Sequence, residues 1–166
     1  MVDVVTLTVT ATLPVDQPVA FDALVPFDTH LKAAPAVRSV KRHGEGDIGT
    51  TYHVELQRYG KRGTIETEVT SLDHPRRLSW QATRPIDGSW TVETSPVGST
   101  IQIEIDIDAE LITSIDLGWV VRRLGLERLL RRALARELKP VLTHLVRDVG
   151  GNPSAVELGE VQIRMQ

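Results

Sequence analysis

Thr100-Ile101-Gln102-Ile103-Glu104-Ile105-Asp106-Ile107-Asp108 is the stretch that decides the fold. Isoleucine takes every second position, and an acid or amide takes most of the positions between. A period of two puts the four isoleucines on one face of a strand and the polar side chains on the other. β-Branched residues also suit a pleated backbone. One face is therefore buried and the other wet, as in an antiparallel sheet covered on a single side.

Upstream the same pattern recurs between turn signals. Strand-like runs span Val37 to His43, Thr50 to Tyr59, Thr64 to Leu72, Leu78 to Arg84 and Ser89 to Thr94. They are separated by Gly44-Glu45-Gly46-Asp47, Gly60-Lys61-Arg62-Gly63, Asp73-His74-Pro75, Pro85-Ile86-Asp87-Gly88 and Ser95-Pro96-Val97-Gly98. Connections this short join sequential antiparallel neighbours, so the order predicts a meander. Val4 to Leu13 is a further strand, closed by Pro14. Two short helices follow it: Asp16 caps the first with Pro18 in its first turn, and Pro26 interrupts the run. Pro35 stops the second after Ala34, because a residue before proline is pushed out of the α region.

Downstream the period becomes helical. From Leu126 to Val149, Leu126, Leu130, Ala133, Leu134, Leu138, Val141, Leu142, Leu145 and Val149 share one half of the wheel. Arg128, Arg132, Arg136, Lys139 and Arg147 share the other half. Pro140 lies inside this helix and frees a carbonyl near Arg136. Ahead of it, Thr113 or Ser114 caps a helix through Trp119 to Leu124, with a break at Gly125. Gly150-Gly151 ends the long helix, and Ala155 to Met165 reads as one more strand or an ordered arm. The expected fold is α+β: a curved seven-stranded antiparallel sheet wrapped around the long C-terminal helix, with two short helices between strands one and two. Residues 1–149 form the domain and residues 150–166 a tail.

Composition narrows the function. With 166 residues, 41% of them hydrophobic, the core needs no covalent staple. The absence of cysteine excludes disulfides, thiol catalysis and Cys-ligated zinc. The five histidines form no H-x-H or H-E-x-x-H pair, so neither a metal nor a cofactor is expected. A net charge of −3 gives no whole-chain reason to expect nucleic acid. No run approaches 18 apolar residues and the N-terminus lacks a signal-peptide pattern, so the expectation is a cytoplasmic protein without stable membrane insertion, monomeric or weakly dimeric. Gly44-Glu45-Gly46-Asp47-Ile48-Gly49 matches G-x-G-x-x-G as a string, but it leads into a strand rather than a helix and carries two acids. It is read as a hairpin turn.

Four segments carry a family resemblance: Val19-Ala20-Phe21-Asp22-Ala23-Leu24-Val25, Val37-Arg38-Ser39-Val40, Val69 through Trp80, and Glu93 through Thr100. In their order and spacing the chain resembles the START-like, or Bet v 1-like, helix-grip superfamily, in its polyketide cyclase/dehydrase branch, over Val4 to Val149. The resemblance implies an internal cavity for a hydrophobic or amphipathic small molecule such as a lipid, quinone or polyketide. Binding or transport of that ligand is the leading expectation, and a cyclase/dehydratase-type enzyme using the same cavity is the alternative. A protein-interaction module is a third, because Trp119 to Val149 carries eight basic residues against three acids. No catalytic motif accompanies the resemblance; a Gly-x-Ser-x-Gly elbow is absent.

Strand parity nominates the cavity wall. The inward set is Tyr52, Val54 and Arg58, then Trp80, then Trp90 and Val92, then Ile103, with Leu134, Leu138 and Leu142 facing them from the helix. Arg131 falls near Leu138 on the apolar side of the wheel, and His30 lies near the cavity mouth. Donors without a facing carboxylate favour a ligand bearing carbonyl or carboxylate oxygens and exclude cations.

Overall fold

The computed structural model describes residues 4–58, 60–82, 86–95, 98–108 and 125–165. Strand β1 (Val4–Leu13) leads into helices α1 (Gln17–Leu24) and α2 (Asp28–Leu31). The meander follows: β2 (Val37–His43), β3 (Thr51–Arg58), β4 (Lys61–Asp73), β5 (Arg77–Ala82), β6 (Ile86–Ser95) and β7 (Gly98–Asp108). Helix α3 (Leu126–Asp148) then precedes the last strand, β8 (Glu157–Met165). The predicted cap at Thr113 or Ser114 and the helix through Trp119 to Leu124 lie outside the described residues.

All strands join one antiparallel sheet in the order β2-β3-β4-β5-β6-β7-β1-β8. The sheet thus has eight strands rather than the expected seven, because the C-terminal tail pairs with the free side of β1. In β1 the alternation is complete: Val5, Leu7, Val9, Ala11 and Leu13 are buried and the threonines between them are half-exposed. The covered face meets α3, whose Val141, Leu142, Leu145 and Val146 are buried while Arg128, Arg132, Arg136, Lys139 and Arg147 stay exposed. Phe21 and Leu24 of α1 close one end of this core.

The glycine-rich string is the β2–β3 turn. Gly44, Gly46 and Gly49 all have positive φ (122°, 98° and 88°), which side-chain-bearing residues rarely adopt. The Gly46 amide donates to Thr50 Oγ1 at 2.9 Å, and Thr50 is 2% exposed. The Gly49 amide donates to the Val69 carbonyl of β4 at 2.9 Å, so the turn is tied into the sheet rather than opening a helix.

Candidate ligand-binding site

Cross-strand register assembles the wall of the grip. Tyr52 on β3 pairs with Thr67 on β4, which pairs with Ala82 on β5. Val69 pairs with Trp80, one row along. Ile103 on β7 lies opposite Trp90 on β6. Directly opposed residues in antiparallel strands share a face, so Tyr52, Thr67, Val69, Trp80, Ala82 and Ile103 belong to the surface that α3 covers.

Among the nominated residues, Tyr52, Val54, Ile103 and Leu142 are buried in the core cluster, and Trp80 and Leu138 pack against it half-buried. Leu134 is half-buried and Arg131 is exposed. The wheel put Arg131 near Leu138, but burial along α3 fades from Val141 towards its N-terminal half. There a long cationic side chain reaches water. The side chains of Arg58, Trp90 and Val92 lie outside the described ones.

Tyr52 is fully buried, and its hydroxyl donates to the Val25 carbonyl at 3.0 Å. The Phe27 ring stacks on it, 3.9 Å between centroids and tilted by 31°. Burial, followed by the nearby Asp28 carboxylate, pushes the phenol up to about 12, against a smaller opposing effect of Arg42. Tyr52 is therefore a neutral donor already committed to the α1–α2 connection, which Pro26 keeps from continuing the helix.

Other polar groups on this face are uncommitted. Thr67 Oγ1, Trp80 Nε1 and Ser99 Oγ are buried and have no hydrogen-bond partner among the described residues. Thr67 and Trp80 are diagonal neighbours across β4 and β5. Sequence reasoning passed over Thr67, although the alternation Ile65, Thr67, Val69 placed it inward. No carboxylate stands on the strands of the concave face between Tyr52 and Ile105 among the described residues.

His30 does not reach this wall. It is 3% exposed between α2 and α3, with Nδ1 3.0 Å from His144 Nδ1. Burial first, and His144 second, hold its imidazole below the usual histidine range, while Asp148 and Asp28 pull it back. The two residues are 114 positions apart, and no sequence pattern links them.

A family model described as "Polyketide cyclase / dehydrase and lipid transport" matches residues 4–150. No curated protein sequence matches the chain. Solved structures share its fold. The protein TTHA0849 from Thermus thermophilus superposes with a TM-score of 0.66 at 14% identity, over 85% of this chain and 98% of that one. The di-domain ARO/CYC protein StfQ from the steffimycin biosynthetic pathway gives 0.66 at 14% identity, over 89% of this chain and 52% of that one. Ara h 8.0201 gives 0.58 at 18% identity, over 88% of this chain and 97% of that one.

Proposed function

Because the chain belongs to the polyketide cyclase/dehydrase and lipid transport family, we propose that it binds a hydrophobic or amphipathic small molecule between the concave sheet face and α3. The observation that carries this reading is the pair of unpartnered groups, Thr67 Oγ1 and Trp80 Nε1. Nearly all buried polar groups in folded proteins find a partner, and those that do not call for a missing water or ligand. The indole nitrogen is a donor only, so its complement is an oxygen acceptor. On the same face Val54, Val69, Leu78 and Ile103 offer apolar surface to the body of such a ligand. A fatty acid, quinone or polyketide-like carbonyl compound meets both demands.

Carriage of such a ligand accounts for the site better than turnover of it. A cyclase or dehydratase needs a general acid or base aimed at the substrate. On the described strands the groups available are a threonine, a serine, an indole and a phenol held neutral. The test is a thermal-shift panel of a long-chain fatty acid, a quinone and an aromatic polyketide, run on the native protein and on Trp80→Phe. Stabilisation by one class, reduced in the variant, with the ligand recovered unchanged, is expected. Recovery of a cyclised or dehydrated product would replace carriage with catalysis, and no stabilisation by any class would overturn the reading.

A further inference from the structure

A second site lies outside the grip, on the far side of α3. A cleft of about 520 Å³ runs between α3 and the end of α2, with Ala33, Ala135 and Pro140 as its apolar wall. Arg136, Lys139, Thr143 and Arg147 border it, spaced three or four residues apart and hence on one helix face. Arg136 is already paired with Glu137 at 3.9 Å. Among the described residues, Lys139 and Arg147 have no ion-pair partner. An apolar wall beside two uncompensated cations favours an anion carrying a compact apolar group.

His144 also lines the cleft. Its Nδ1 stands 3.0 Å from His30 Nδ1. Nε2 is the ring nitrogen left outside that contact.

The geometry points to a binding site for a phosphate monoester with a small apolar substituent, held by Lys139, Arg147 and His144. The site is independent of the ligand in the grip. A phosphoryl group of this kind is carried both by soluble esters and by the head group of phosphatidic acid.

Phenyl phosphate, titrated calorimetrically into the whole protein, is the first probe. Binding should weaken as salt is added, because exposed cations hold the anion. Lys139→Gln and Arg147→Gln alter exposed side chains and leave the core intact; each should weaken binding about tenfold. His144→Asn lacks Nε2 and should weaken binding as well. Co-sedimentation with phosphatidylcholine vesicles containing phosphatidic acid is the second arm. Binding of phenyl phosphate with these signatures assigns a soluble ester, and vesicle binding sensitive to the same two cations assigns the lipid head group. Absence of both, or binding unchanged in the Lys139→Gln/Arg147→Gln double variant, overturns the site.

Discussion

Thr67 is 7% exposed, and its hydroxyl has no partner among the described residues. A buried polar group left unsatisfied costs about 1–3 kcal/mol of folding free energy. Thr67→Val removes it with little change of shape, so the unliganded protein should become more stable to urea by about 1 kcal/mol. Its affinity for the grip ligand should fall in the same variant. A threonine with no ligand role would leave that affinity unchanged, and lower stability with unchanged affinity would contradict the assignment. His30 makes a separate prediction. Its imidazole is held below the usual range, so the unfolded chain takes up a proton first as pH falls through about 6.5. Stability from this residue is present above that value and declines below it, until the folded form also protonates. The melting temperature should drop on acidification through that window, and the drop should shrink in His30→Gln; superimposable profiles would contradict it. Tyr52 carries the opposite sign at the alkaline end. The phenol titrates near 10 when unfolded and about 12 when folded, so stability should be lost as pH rises between these values. Ultraviolet titration of the tyrosinate band reads this shift directly.

β8 shows where a local pattern stops being readable. A strand was legible from Val4 to Leu13 and from Thr100 to Asp108 because unbroken alternation marks one face at every step. In the tail, Leu158 faces Ala11 and Val161 faces Val9, so Gly159 and Glu160 together oppose the single residue Thr10. This bulge turns the apolar spacing from two into three, which is why a period-of-two reading leaves the tail between a strand and an ordered arm. Gly159 is there for space: a Cβ on it would lie 2.9 Å from the Thr10 carbonyl oxygen. Gly159→Val should therefore loosen β8 and raise hydrogen exchange along the β1–β8 ladder, leaving the β1–β7 ladder protected. Equal protection of both ladders would show that the bulge tolerates the side chain. α3 was readable for the opposite reason, since its wheel separates the buried Leu142 and Leu145 from the exposed arginines. What the wheel lacks is depth along the axis, and that omission put Arg131 on the wall.

On the scale of the whole molecule, the sheet and helix enclose a face whose polar content comes from single residues on separate strands. Parity found Tyr52, Val54, Trp80 and Ile103 because each strand reports its own inward set. It does not report which inward polar group is already satisfied. Tyr52 bonds Val25, 27 residues away, whereas Trp80 is left without a partner. The same limit hid the His30–His144 contact, which exists only once α2 meets α3. The most direct test of the central claim is native mass spectrometry of the full chain purified from its own host under gentle conditions. The account predicts a retained apolar compound bearing a carbonyl or carboxylate, released on denaturation and diminished in Trp80→Phe. A reproducibly empty protein that also ignores fatty acids, quinones and polyketides added in excess would contradict it.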